Sequence, residues 1–302
     1  MVFIKGGELI AERYADGFDM NSRTYSASMA KTVTQMMVGA AINKGLFELD
    51  DRAPIKEWSG SDDPRRAITW RDLLQMQSGL EFNEDYLSAK DDFPVFHLLT
   101  HSMAQYPIEK PLIHEPGTYW AYATGTSQIL QRALRVALES NGINYHSFGR
   151  AEIFEPLGAS SVVFATDSSG EFVGGSIVYA TARDWAKLGQ LFLQDGVWEE
   201  TQIFPEGWSE FVSTPANASK GIYGAQMWLN NPSVNSNKKP FPSLPASMYH
   251  FEGAEGQVVF IIPSIDMVIV HLGRTSFVDD RQNVPINAAL DVIVPTLQPV
   301  NQ

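Results

Sequence analysis

Ser28-Met29-Ala30-Lys31 opens an apolar run in which Val33, Met36, Met37, Ala40, Ala41 and Ile42 recur at helical spacing before Gly45 ends it. That pattern predicts a long core helix beginning at Ser28. Positions i and i+3 share a helix face, so the Ser28 hydroxyl would stand beside the Lys31 amine. The hydroxyl would also lie in the first turn, near unpaired amide N–H groups and the positive end of the helix dipole. A serine nucleophile with a built-in base fits that placement. The four-residue pattern alone is common. Ser236-Asn237-Lys238-Lys239 satisfies it too, but in a polar stretch followed by Pro240, with no apolar run behind it, and reads as a solvated loop.

A chain of 302 residues that is 44% hydrophobic can bury a large core, as one domain or two intimately joined lobes. A net charge of −13 with no Lys/Arg cluster argues against nucleic acid and anionic membrane as partners. The absence of cysteine excludes disulfides, thiolate chemistry and Cys-ligated metals. No apolar run reaches membrane-spanning length, and Met1 to Gly7 lacks a signal peptide's apolar region, so a cytoplasmic location is the expectation.

Strand signals fall at both ends of the chain. Val2 to Lys5 and Glu8 to Tyr14, joined by Gly6-Gly7, read as a hairpin. Gln257 to Ile262 and Met267 to Leu272 form a second, and residues 285–297 a closing helix. The middle reads as helical from about residue 45 to 170. Thr69 with Asp72 predicts a capped helix closed by Gly79. Gln128 to Glu139 predicts another, closed by Asn141-Gly142, and Thr181 with Asp184 caps a third. Residues 230–245, rich in Pro, Ser and Asn, read as a loop. The economical architecture is α/β of the α+β type: an antiparallel sheet built from both termini, flanked by helices, with a mainly helical lobe inserted. Residues 1–45 and 171–302 would form the first lobe and 46–170 the second. A ligand site is expected between them.

Two further stretches could supply chemistry. Pro116 to Gly125 is dense in turn residues and aromatics, and could aim the Tyr122 phenol into a cleft. An adjacent ammonium would ease loss of the phenol's proton, letting Tyr122 relay a proton from Ser28 to a leaving group. Taken alone, Tyr119, Trp120 and Tyr122 read as packing aromatics. Phe251 to Gln257 places glycines at the start of a strand, where a backbone amide could pair with that of Ser28 to hold an oxyanion; alternatively it is an ordinary glycine-rich turn. His97 and His101, four apart with no third ligand in evidence, read as surface or lobe-packing residues rather than metal ligands. His250 either borders the cleft or ends a strand in solvent. No Gly-x-Ser-x-Gly elbow and no glycine-rich phosphate loop occurs.

In this order the three elements resemble the serine β-lactamase and penicillin-binding superfamily, marked by Ser-x-x-Lys, a Tyr-x-Asn motif and a Lys-Thr-Gly-like strand. The chain looks most like its class C-related branch of esterases, D-amino-acid-specific peptidases and 6-aminohexanoate-dimer hydrolases. Tyr25 to Thr34, Asp72 to Leu80, Pro116 to Gly125, Ile153 to Gly158, Gly174 to Gly189 and Gly253 to Pro263 carry the likeness. The resemblance implies a β-lactamase/transpeptidase-like fold and hydrolysis of a small-molecule ester or amide without a cofactor or metal. It implies Ser28 as acylated nucleophile, Lys31 as proton acceptor or electrostatic partner, Tyr122 in proton transfer and the amides of Ser28 and Ala254 as oxyanion hole. Tyr86, Thr124, His250, Glu252 and Gly253 would border the substrate.

Two departures bear on specificity. Thr124 stands where the family has Asn, and Phe251-Glu252-Gly253 replaces Lys-Thr-Gly, removing a cation and adding a carboxylate. Neutral or amine-bearing esters and amides are then expected ahead of β-lactams and peptidoglycan peptides. The alternatives are a β-lactamase or DD-peptidase, and a catalytically silent homologue that binds a ligand in the same cleft.

Overall fold

The computed structural model describes residues 1–86, 90–232, 237–275 and 284–297. Ser236, the serine of the second Ser-x-x-Lys copy, lies outside them. The expected N-terminal hairpin forms as β1 (Val2–Lys5) and β2 (Glu8–Glu12). The C-terminal one forms as β10 (Gln257–Ile262) and β11 (Met267–His271). With β8 (Trp228–Leu229) and β9 (Tyr249–Gly253) they build one antiparallel sheet in the order β2-β1-β11-β10-β9-β8. β1 meets β11 in the register Val2↔Val270 to Lys5↔Met267, so strands from the two ends of the chain join inside one sheet.

The continuous apolar run of β10 is explained by burial on both faces. Val258, Phe260 and Ile262 enter one core with Phe3, Met267 and Ile269, beneath Ile286, Leu290 and Val294 of the closing helix α9 (Val284–Leu297). Val259 and Ile261 alternate to the larger core on the opposite face. That core takes in helices α1 (Ala30–Asn43), α5 (Thr124–Ser140) and α7 (Ala182–Leu193). A smaller sheet joins β3 (Arg23–Tyr25) and β4 (Val163–Phe164) to the central β5 (Val178–Thr181). The pair β6 (Val197–Trp198) and β7 (Thr201–Gln202) stands apart.

The middle of the chain supplies α2 (Trp70–Leu74), α3 (Asp92–Leu99), α4 (Gln105–Ile108) and α6 (Tyr145–Gly149), and α8 (Trp208–Ser213) follows α7. Thr69 and Asp72 form a full capping box on α2. Its expected end at Gly79 is corrected. The helix stops at Leu74 because Met76, at φ +58°, takes the left-handed position. Met76 N–H then bonds Leu73 O and Gln77 N–H bonds Asp72 O, the two bonds of a Schellman ending. Gly79 instead accepts the N–H groups of Ile113 and His114. The predicted endings at Asn141-Gly142 and the Thr181 cap of α7 both form. No helix among the described residues is long and apolar enough to cross a membrane.

Candidate active site

The approach to Ser28 is fixed from β3. Ser26 pairs with β5 through its N–H on Val178 O (2.9 Å), and its Oγ accepts Val178 N–H (3.0 Å). Ala27 then turns at φ +46°, a left-handed conformation that costs a non-glycine residue of order 1 kcal/mol. This kink makes Ala27–Met29 a 3-10 turn, and α1 proper begins at Ala30. Ser28 therefore precedes the α-helix by two residues rather than opening it. It remains half-buried and reachable while its neighbours Ala27 and Met29 are buried.

Lys31 lies in the first turn of α1 and is 2% exposed. Its Nζ has three acceptors: Ser28 Oγ at 3.1 Å, Thr124 Oγ1 at 2.9 Å and Gly175 O at 2.7 Å. Nζ also stands 4.8 Å from the centre of the Tyr122 ring. Burial pulls its ammonium down from 10.5 to about 8, against the opposing charge of Glu84. That shift corresponds to about 3 kcal/mol of disfavoured charge, which makes a neutral amine accessible near neutral pH.

Tyr122 lies two residues before α5, with the N-cap Ala123 between. Its loop is pinned to the end of α2 by Ala121 N–H on Met76 O (3.1 Å) and Gly117 N–H on Gln77 O (2.8 Å). Its hydroxyl lies beside the Ser28 side chain, and its ring packs on Trp228 and Tyr223, with centroids 5.3 and 6.0 Å away. The three residues singled out for chemistry thus gather at one place, with Lys31 hydrogen-bonded to Ser28 and the Tyr122 ring beside the amine. The expectation of an easily ionised phenol is corrected. Burial, reinforced by the charges of Glu84 and Glu252, pushes the Tyr122 pKa up and outweighs the lowering effect of Ser28, so the hydroxyl rests protonated.

The third element abuts the same turn. A Cβ on Gly253 would come 2.2 Å from Ser26 O and 3.1 Å from Ala27 Cβ, so β9 can lie against the 3-10 turn only as glycine. Ala254 follows directly and begins a 3-10 turn at the end of β9. Phe251 faces the core, packed on Trp185 and Phe192. His250, at 1% exposure, is neither a solvent-exposed strand end nor a cleft wall. It is buried against Phe241 and Phe260, and its Nε2 lies 2.9 Å from Glu252 Oε2. It touches that carboxylate and is paired across the strands with Trp228, which packs on Tyr122. Tyr86 is 40% exposed, edge-on to Phe93, with its hydroxyl donating to Glu84 (2.9 Å). Thr124 is fully buried behind Lys31, which removes it from the open face expected of a substrate contact.

Sequence reasoning passed over the support behind Lys31. α5 carries a buried polar stripe of Thr124, Ser127, Gln128 and Gln131, at i, i+3, i+4 and i+7 where a core helix would be apolar. Ser127 Oγ–H donates to Gln226 Oε1, Gln128 to Phe172 O and Gln131 to Thr34 Oγ1. Thr34 in turn donates to Gly174 O (2.8 Å). This network holds the 174–175 backbone so that Gly175 O meets Lys31. A Cβ on Gly175 would come 2.6 Å from Thr124 Cγ2. Buried polar residues at helical spacing are the signal that finds this network. Glu84 was also passed over.

His97 Nε2 lies 2.8 Å from Ser176 Oγ, and burial lowers its pKa to about 4; His101 is exposed. Among the described residues no three His, Asp or Glu side chains are grouped to hold a metal ion.

The Beta-lactamase family pattern matches residues 1–291. A 6-aminohexanoate-dimer hydrolase of Paenarthrobacter ureafaciens is 24% identical over 309 residues, covering 92% of this chain and 73% of that one. Among solved structures, EstCE1, a hydrolase with promiscuous acyltransferase activity, superposes with a TM-score of 0.71 at 16% identity, covering 96% and 92% of the two chains. A beta-lactamase from Mycobacterium bovis gives a TM-score of 0.70 at 16% identity, covering 99% and 94%. With its β-lactamase/transpeptidase-like fold and its serine, lysine and tyrosine gathered at one site, the chain belongs to the Beta-lactamase family and is a hydrolase of the serine β-lactamase type.

Proposed function

We propose that this protein hydrolyses esters or amides of small molecules through a covalent acyl-Ser28 intermediate. The observation that carries this reading is a buried amine of lowered pKa 3.1 Å from a reachable serine hydroxyl, with the Tyr122 hydroxyl beside that serine. Neutral Lys31 takes the proton from Ser28 Oγ as that oxygen attacks the carbonyl carbon. The amides of Ser28 and Ala254 receive the developing oxyanion. On collapse, the protonated Lys31 returns the proton by way of the Tyr122 hydroxyl to the departing alkoxide or amine. Water then attacks the acyl-Ser28 carbonyl, the same groups carrying its proton, and releases the acid.

The acidic surroundings support substrates without a carboxylate beside the scissile bond. Glu84 and Glu252 both act on Tyr122, and the strand motif carries Glu252 where the family resemblance implies a threonine between lysine and glycine. The names of the dimer hydrolase and the acyltransferring hydrolase agree with an acyl-enzyme.

The test is turnover of p-nitrophenyl acetate and butyrate, with nitrocefin alongside. The expected result is ester hydrolysis that Ser28→Ala lowers by about 10³-fold or more, with nitrocefin, which carries a carboxylate, turned over far more slowly. Turnover equal to that of Ser28→Ala would mean a silent ligand-binding homologue. Rapid nitrocefin hydrolysis would mean a β-lactamase.

A further inference from the structure

We propose that Glu84 is a positioning residue that directs the lone pair of Lys31 onto Ser28, acting through the hydroxyl of Thr124. The proposal rests on Ser28 and Lys31 acting as described above.

Glu84 lies in the loop before α3, 40 residues from Thr124, yet grips it twice. Its Oε2 accepts the Thr124 backbone N–H at 2.7 Å, and its Oε1 accepts the Thr124 hydroxyl in a short bond. Thr124 is the first residue of α5, so its N–H has no acceptor within the helix, and the N-cap residue, Ala123, has no side-chain oxygen to offer. Glu84 supplies that cap from elsewhere in the chain.

The consequence lies in the direction of the bonds. A hydroxyl has one hydrogen, and a carboxylate can only accept. With its hydrogen given to Glu84, Thr124 Oγ1 presents only lone pairs to Lys31 Nζ, 2.9 Å away. Gly175 O, at 2.7 Å, can also only accept. A neutral amine has two hydrogens and one lone pair. Thr124 and Gly175 claim both hydrogens, and the remaining direction faces Ser28 Oγ at 3.1 Å. The lone pair is therefore aimed at the proton it must take. Glu84 sets this order, since without an acceptor behind it Thr124 could turn its hydroxyl toward the lone pair and occupy it.

Glu84→Gln tests this with little change of shape. A glutamine that still accepts the Thr124 N–H through its carbonyl turns its NH₂ toward Thr124 Oγ1 and the Tyr86 hydroxyl, both of which now accept from it instead of donating, and so reverses the chain. Thr124 O–H then donates to neutral Lys31. Removing the carboxylate also withdraws the charge that supports the Lys31 ammonium. The other groups near Lys31 stay in place: Tyr122 over it, Glu252 acting on Tyr122, and His97, which senses the Lys31 charge.

The readout is the rate at which a fluorophosphonate labels Ser28 as a function of pH. In the native protein the rate should rise with pH as Lys31 loses its proton. In Glu84→Gln the rise should move to lower pH by about half a unit or more, because the supporting charge is gone. The plateau should fall about tenfold, with KM for p-nitrophenyl butyrate little changed. Adding Thr124→Val, which removes the reversed hydroxyl, should recover part of that plateau. A folded Glu84→Gln with an unmoved rise and plateau would overturn the proposal, as would a further fall on adding Thr124→Val. If Glu84→Gln does not fold, Thr124→Val alone decides. It keeps the cap on the backbone N–H, and an unchanged profile would overturn the proposal. Failure of the native protein to label at Ser28 would instead refute the acyl-enzyme reading.

Discussion

Lys31→Ala is expected to slow acylation of Ser28 by about 10³-fold, the largest effect of any substitution that leaves the nucleophile in place. It removes the amine 3.1 Å from Ser28 Oγ, and no other base among the described residues bonds that oxygen. Tyr122→Phe should cost about 10²-fold, because it deletes the hydroxyl beside Ser28 while keeping the ring over Lys31 and its packing on Trp228. Stopped-flow measurement of the first turnover of p-nitrophenyl acetate separates these acylation rates from release of the acid. Each of these variants should fold. Lys31→Ala strands Thr124 Oγ1 and Gly175 O without their donor, but it also lifts the cost of burying a charge. An acylation rate within a few-fold of native in Lys31→Ala would remove the amine from the mechanism.

Gly253→Ala is expected to lower kcat by about 10²-fold or more. The added methyl would be placed 2.2 Å from Ser26 O, a contact of side chain with backbone that no rotamer relieves. Either β9 or the 3-10 turn must retreat. Ser26 is held to Val178 by two hydrogen bonds and Phe251 is locked in the core, so the displacement falls on the short segment carrying the Ala254 amide and Ser28. An oxyanion hole loses most of its value when a donor moves by about an ångström. The split between constants is the check: kcat should fall with KM little altered. A normal kcat would show that the Ala254 amide does not serve the reaction.

Legibility in the sequence followed the range of the interactions. Both hairpins, the Thr69 and Thr181 caps and the Asn141-Gly142 ending are written in neighbouring residues, and each forms. The two shifted boundaries have local causes that composition hides. Met76 and Ala27 adopt left-handed backbones that their side chains do not favour, one ending α2 early and the other delaying α1 past Ser28. Ser28, Lys31 and Tyr122 were legible because the family resemblance links motifs far apart in the chain. The partners that govern Lys31 were not. Gly175 stands 144 residues away from it, and Glu84 acts through Thr124. The polar stripe on α5 was present to be read, but a helix with four buried polar residues on one face looks merely amphipathic until its neighbours are known. His250 was misjudged for the same reason, since the covering Phe241 belongs to a loop.

The most direct measurement is the site of covalent capture. The protein is treated with a fluorophosphonate, its intact mass is recorded and the modified peptide is sequenced. The account predicts one adduct, on Ser28, absent from Ser28→Ala and formed in step with loss of ester hydrolysis. An adduct on a different residue, or full loss of activity with Ser28 unmodified, would contradict it.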